Sequence, residues 1–358
     1  MKEPKIYVVT DAVNRKNGGN GSMLDLVGAL DAPTIVFRRR GAVHGYLEAW
    51  RLGYLNVLPF SKIKKINTNT SNCKRTIVFC IASTEVNELS TLRSVFKEAK
   101  IYIFQTGDVG LNDRNQDKYR IVDGVIFQSP EHLRIFNDVY SNLSCRCILL
   151  RPTINERRYQ SFKETIVDTN GFNWKQREII RLAIIGSVQP RKNQVYAILL
   201  CNELKKLGIP VHLSIIGPLV DQKYLQEIRR TIATCNLQGN VEILGFKSNY
   251  EKYLISNDII LSVSLEEGVA TILRETLYLG KLAIVSDIAG NKGTFNHENS
   301  IIINIDDSPE DNAGKIFSIL EDEKNLVEIT ANARKTYKKF HAQKIFRQTL
   351  NSLVNDHG

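Results

Sequence analysis

Residues 181–218 read RLAIIGSVQPRKNQVYAILLCNELKKLGIPVHLSIIGP. The run at 182–185 is apolar on both parities and stops at Gly186, the pattern of a strand buried on both faces. An amphipathic stretch at 193–207 fits a helix, and a second apolar run follows at 211–216. The same unit then recurs. Apolar runs at 241–244, 259–263, 283–285 and 301–303 alternate with helical stretches at 221–235, 250–256 and 271–279, and the chain is strongly helical from Ala313. Parallel strands joined by helices produce this alternation, so the second half is expected to be a doubly wound α/β domain.

The first half follows a looser version of the same grammar, with strands expected at 6–10, 34–37, 77–81, 101–104, 124–127 and 147–150. The stretch between the second and third of these has little strand or core character. Residues 151–179 hold Pro152, polar runs and no clear period, and are expected to be a linker. The 358 residues thus divide into domains at 1–150 and 180–342, followed by a terminal helix in 343–358. Two α/β domains in series are expected to face a central cleft lined by the loops at the carboxyl ends of their strands.

Composition narrows the classes of function. Hydrophobic residues make up 43% and charged residues 24%, which fits a globular protein rather than a disordered one. No apolar run reaches the length of a membrane span, and the opening MKEPKIYVVT lacks a signal-peptide core, so a cytoplasmic location is expected. The six cysteines form no CxxC pair and the six histidines lack metal-ligand spacing, so no metal site is expected. The net charge is +10, and the first 150 residues carry 21 Lys/Arg against 14 Asp/Glu. Arg38, Arg39 and Arg40 with Lys62, Lys64 and Lys65 form the densest basic clusters. They suit phosphates, an acidic polymer or weak peripheral association with an anionic membrane, and equally a solvated face. Nucleic acid is not an expected partner, because no stacking aromatics interleave with them.

Two segments carry chemistry. Ser264-Leu265-Glu266-Glu267-Gly268-Val269-Ala270-Thr271-Ile272-Leu273-Arg274-Glu275 leaves a strand and enters a helix. Glu267 at the strand end and Glu275 one turn into the helix can both face a ligand held at the helix start. The backbone N–H groups of Gly268, Val269, Ala270 and Thr271 offer donors and a positive dipole end to the same ligand. The second segment is Gly186-Ser187-Val188-Gln189-Pro190-Arg191-Lys192-Asn193. Its two cations precede a helix, where they oppose the dipole, and this points to an anionic partner such as a diphosphate. In the first half, Gly18 and Gly19 lie between a strand and a helix, where glycines let backbone approach a ligand closely. Asp108 follows the strand at 101–104 and either accepts a proton or orients a second substrate there, or serves a turn.

At these segments the chain resembles the retaining GT-B glycosyltransferases of family four, also called the glycosyltransferase group 1 family. Glu267-Gly268-Val269-Ala270-Thr271-Ile272-Leu273-Arg274-Glu275-Thr276-Leu277-Tyr278-Leu279-Gly280 is similar to their glutamate, seven residues, glutamate motif. Gly186 through Asn193 resembles their strand–turn motif, and Ser286-Asp287-Ile288-Ala289-Gly290-Asn291 their later serine and glycine loop. Serine stands at 187 where many relatives have arginine, and Val269-Ala270 replaces their Phe-Gly.

The resemblance implies a GT-B fold, with two Rossmann-like domains that bind acceptor at 1–150 and nucleotide sugar at 180–342, the helix in 343–358 packing back toward the first. It implies a retaining, metal-independent sugar transfer from a UDP- or GDP-sugar to a glycan, lipid-linked or small-molecule acceptor, without a cofactor, in polysaccharide or glycoconjugate synthesis. Lys192, with Arg191 or Ser187, would hold the diphosphate, Glu275 the ribose hydroxyls, and Glu267 the donor sugar where charge develops. Gly18, Gly19 and the amides of residues 268–271 would complete the donor contacts, with Asp108 on the acceptor side. An epimerase or hydrolase of the same fold, or a non-catalytic nucleotide-sugar or polyanion-binding protein, would use the same residues.

Overall fold

The computed structural model describes residues 5–10, 34–38, 57–65, 76–105, 116–162 and 174–355. The chain forms two units, one from Met1–Thr153 together with His341–Gly358, the other from Ile154–Phe340.

The first unit is built on seven parallel strands: β1 (Lys5–Thr10), β2 (Thr34–Arg38), β3 (Val57–Pro59), β4 (Thr76–Ile81), β5 (Lys100–Gln105), β6 (Gly124–Phe127) and β7 (Arg146–Leu149). Their order is β3-β2-β1-β4-β5-β6-β7. Side chains alternate across a strand, so each strand feeds two cores. Tyr7, Val9, Val78, Cys80, Ile101 and Ile103 pack on one face with helices α1 (Val86–Val95) and α3 (Pro130–Val139); the short α2 (Asp117–Ile121) supplies Tyr119 to the same cluster. Ile6, Val8, Ile77, Phe79, Tyr102 and Phe104 pack on the other, where Phe346, Leu350 and Leu353 come from a helix at Gln343–Asn355.

Between β2 and β4 the structure differs from the sequence expectation. Val57–Pro59 pairs with β2 through Val36, Phe37 and Arg38, and the following 3-10 turn, Phe60–Lys65, buries Ile63. Three strand residues ending in proline are too few to show a period, so this edge strand leaves little trace in the sequence. Lys62 and Lys64 are exposed on that turn.

The second unit holds β8 (Ile180–Ile185), β9 (Val211–Ile216), β10 (Val241–Gly245), β11 (Ile259–Ser262), β12 (Leu282–Ser286) and β13 (Ile301–Ile303), all parallel, in the order β10-β9-β8-β11-β12-β13. Helices α4 (Gln194–Lys206), α5 (Gln222–Thr234), α6 (Tyr250–Ser256), α7 (Thr271–Leu279), α8 (Pro309–Leu320) and α9 (Glu323–Phe340) cover it. Side-chain oxygens start two of them. Asp221 accepts from Tyr224 N–H at 2.9 Å before α5, and Ser308 accepts from Asp311 N–H at 3.0 Å before α8, where Pro309 also presets the first turn. Helix α7 ends at Gly280, whose φ of 66° suits glycine, and any Cβ there would lie 2.3 Å from Arg334. The chain runs outward in both directions from the neighbouring pair β8 and β11. The connections leaving those two strands therefore diverge, which opens a crevice at their carboxyl ends.

Candidate active site

Both chemistry-bearing segments leave the strands that flank this crevice. After β8 the backbone is held by β9's loop, Gly186 N–H donating to Ile216 at 2.8 Å and Val188 N–H to Pro218 at 2.9 Å. A 3-10 turn, Pro190–Lys192, follows, and Asn193 in the left-handed region (φ 55°) redirects the chain into α4. Asparagine tolerates that conformation better than most residues. Gln194, fully buried, donates to the Ser187 carbonyl at 3.0 Å, and Gln189 donates to the Ser187 hydroxyl at 2.7 Å.

The loop after β11 meets this turn directly. Leu265 N–H donates to the Arg191 carbonyl at 2.9 Å, and the Arg191 guanidinium returns a bond to the Glu266 carbonyl at 2.9 Å. Glu267, 9% exposed, is the centre of the arrangement. Its Oε1 is ion-paired to Lys192 Nζ, lies 3.1 Å from Arg191 Nη1 and accepts from the Ser264 hydroxyl at 3.1 Å. Two cations thus share one carboxylate. A net positive charge remains, with Arg191 the more exposed of the pair at 37% of its side chain against 16% for Lys192. Beside it α7 begins at Thr271 with Ala270 as its cap residue and no side-chain cap, so the first amides of the helix depend on other acceptors. Cations and a helix start at one crevice form a setting for an anionic group.

The loop after β12 presses against this site from the far side. A Cβ at Gly290 would lie 2.0 Å from the Glu267 carbonyl oxygen and 2.1 Å from that of Gly268, so only glycine fits. Buried Ser286 ties the two loops, donating to Ser264 O at 2.9 Å, and Asn291 donates back to Ser286 O at 2.9 Å. The serine and glycine motif at 286–291 therefore shapes the backbone that carries Glu267.

Glu275 has a different setting. It is 1% exposed inside α7, and the Tyr250 hydroxyl stands 2.9 and 3.0 Å from its two oxygens. Arg158 donates to that hydroxyl at 3.0 Å, stacks on the Tyr250 ring at 4.7 Å and is ion-paired to Glu251. Burial pushes the Glu275 carboxyl up to about 7, with Arg158, Tyr250, Tyr159 and Arg274 pulling the other way. Burial and the adjoining carboxylate hold the Tyr250 hydroxyl well above the usual tyrosine range, so it stays a proton donor.

The structure brings Lys192, Arg191 and Glu267 into contact, sets Ser187, Gly268, Val269, Ala270 and Thr271 on the same two loops, and gives Glu275 the partners Tyr250 and Arg158. Gly18, Gly19, Asp108, Arg39 and Arg40 lie outside the described residues. Among the described residues no three His, Cys, Asp or Glu side chains group as a metal site, and no helix is long and apolar enough to cross a membrane. Ser264, Tyr250 and Arg158 escaped the sequence reading. Arg158 sits on a 3-10 turn, Glu156–Phe162, inside the stretch expected to be a linker, and meets Tyr250 across 92 residues of sequence.

Comparison with known proteins agrees with this architecture. A family model described as glycosyl transferases group 1 matches residues 166–336. The Xenopus tropicalis "Glycosyltransferase 1 domain-containing protein 1" is 19% identical over 261 residues, covering 70% of this chain and 74% of its own length. Among solved structures, Anabaena HepE in complex with UDP is 13% identical, with a TM-score of 0.77 over 99% of this chain and 100% of that one. The pneumococcal O-GlcNAc transferase GtfA, in complex with UDP and GlcNAc, is 11% identical, with a TM-score of 0.76 over 100% and 99%. Two Rossmann-like units, the crevice geometry and these matches converge: the protein has a GT-B fold, and residues 166–336, within its second unit, match the model of the glycosyl transferases group 1 family.

Proposed function

We propose that the protein transfers a sugar, with retained anomeric configuration, from a nucleoside diphosphate sugar to an acceptor hydroxyl. The observation that carries this reading is the meeting of Lys192, Arg191 and Glu267 beside the start of α7. Lys192 and Arg191 take the diphosphate together with the first amides of α7, so the charge that grows on the leaving group meets fixed cations. Glu267, held between those cations, faces the sugar as C1 becomes cationic, and Glu275 accepts the ribose hydroxyls. The C1–O bond to the diphosphate breaks as the acceptor oxygen bonds to C1 on the same face. The acceptor proton passes to the departing phosphate.

No cofactor and no divalent ion enter this scheme, since protein cations do the neutralising. Complexes of HepE and GtfA with UDP favour a UDP-sugar as donor. The acceptor is a glycan, a lipid-linked saccharide or a small molecule, in polysaccharide or glycoconjugate synthesis. Exposed Lys62 and Lys64 in the basic first unit suit an anionic acceptor or weak peripheral contact with the inner face of a membrane, from the cytoplasm.

Incubation with UDP- and GDP-sugars against an acceptor panel, with chelator present, tests the whole reading. A glycoside of unchanged anomeric configuration is the expected product. An epimerised donor or free sugar as sole product overturns transfer, and full dependence on added magnesium or manganese overturns the metal-independent mechanism.

A further inference from the structure

Arg158 and Tyr250 have no part in the scheme above, yet they are the groups built around Glu275. A carboxyl with 1% exposure loses its hydration and tends toward the neutral form. Ribose presents two neighbouring hydroxyls, and only an ionised carboxylate accepts from both with both oxygens. The fold opposes that ionised state by burial and supports it through a relay. The Arg158 guanidinium donates to the Tyr250 oxygen at 3.0 Å, and the Tyr250 hydroxyl donates to the carboxylate at 2.9 to 3.0 Å. A phenol that accepts from a cation is a stronger donor, so the positive charge is felt at Glu275 through the ring it stacks upon.

The relay is itself anchored. Glu251, on the same helix as Tyr250, ion-pairs with Arg158 and fixes the guanidinium over the ring. Tyr159 is fully buried and packs at a tilt against Tyr278, the ring centroids 5.7 Å apart, which seats the turn that carries Arg158. The titratable and charged groups facing Glu275 are therefore Arg158 and Tyr159 from the turn at Glu156–Phe162, Tyr250 from α6, and Arg274 from its own helix, with Glu251 acting through Arg158.

We infer that Arg158 and Tyr250 are positioning residues that keep the buried Glu275 carboxylate ionised and aimed for a vicinal diol, and so decide over which pH range the site holds its nucleotide-sugar donor. The inference rests on the donor-binding reading of this site and extends it to residues that touch no substrate.

Calorimetric binding of UDP-glucose between pH 6 and 8.5 tests it, since the charge of that diphosphate is constant over the range. Wild-type affinity should rise with pH as Glu275 ionises. In Arg158→Gln the rise should shift upward by about one pH unit, giving affinity about tenfold below wild type at pH 6 and within about twofold at pH 8.5. Tyr250→Phe should shift it in the same direction by less, and Arg158→Lys should restore most of the wild-type profile. Infrared titration of the carboxylate band that Glu275→Gln abolishes gives a readout without donor, and its midpoint should move up in Arg158→Gln.

A loss of affinity in Arg158→Gln that is equal at every pH assigns the residue a purely structural role and overturns the inference, as does an unmoved infrared midpoint. Failure of the wild-type protein to bind UDP-glucose or any other UDP- or GDP-sugar at any pH overturns the donor reading and this inference with it. Normal wild-type binding with unshifted variants overturns the inference alone.

Discussion

Glu267 and Glu275 stand eight residues apart on one loop and one helix, yet they occupy opposite electrostatic worlds. Glu267 lies at the crevice, paired directly to two cations. Glu275 lies against Tyr250, with the Arg158 cation one hydroxyl removed and its carboxyl pushed up to about 7 by burial. Sequence spacing gives both the same rank in a motif. Burial and the partners brought by distant segments divide their chemistry.

The contrast is broken most strongly at its cationic end. Lys192→Ala should weaken donor use by roughly 10- to 150-fold, the worth of one charge-assisted contact of ~1.5–3 kcal/mol, while the fold persists because the side chain lies at the crevice. Unaltered donor kinetics in a folded variant would remove Lys192 from the site.

At the buried end the test is stability rather than activity. Between the ordinary glutamate value of about 4.5 and the folded value of about 7, the folded chain keeps a proton that the unfolded chain has lost. Glu275 therefore favours folding least above pH 7, and its contribution improves as pH falls through 7 toward 4.5. Glutamine cannot titrate. Glu275→Gln should thus gain on wild type in thermal midpoint as pH rises from 5 to 8, and parallel curves for the two proteins would show that burial does not raise this carboxyl.

A third change sharpens the boundary between the two glutamates. Gly290→Ala places a methyl against the Glu267 and Gly268 carbonyls and should cost about 1–3 kcal/mol in chemical denaturation while displacing the Glu267 loop. Wild-type stability and donor affinity together would mean that the loop after β12 yields freely. Smallest of the four, Ser264→Ala removes one neutral donor from Glu267 and should cost about 0.5–1.5 kcal/mol of stability, with donor affinity changed less than in Lys192→Ala. A larger loss of affinity than in Lys192→Ala would make the hydroxyl, rather than the cation, the holder of that carboxylate.

The parts legible in the sequence are those set by local pattern. Runs such as 211–216 and 259–263, apolar on both parities, announce fully buried parallel strands, and β9 and β11 form there. Lys192 and Glu267 were legible because each sits at a strand end next to a helix start, where charge is conspicuous. Arg158 was not, because a seven-residue turn, ERRYQSF, beside a polar stretch carries no period, and its meaning comes from Tyr250, 92 residues on. Gly290 was legible as a motif but not as a mechanism. Its reason is that a Cβ there would lie 2.0 Å from the Glu267 carbonyl oxygen, a closeness that only the folded loops create.

The helix at Gln343–Asn355 has a consequence in time. It supplies Phe346, Leu350 and Leu353 to a core whose other members begin at Ile6, while the whole second unit, Ile154–Phe340, lies between. At synthesis rates of about 5–20 residues per second, the ribosome needs roughly 10–40 seconds to pass from one piece of the first unit to the other. During that interval the nascent sheet has Ile6, Val8, Phe79 and Phe104 on a face without its covering helix, while the continuous second unit is being made and has its full chain before that helix emerges. The half that begins first is the half that finishes last, and its bare apolar face is where a chaperone or a wrong partner would take hold.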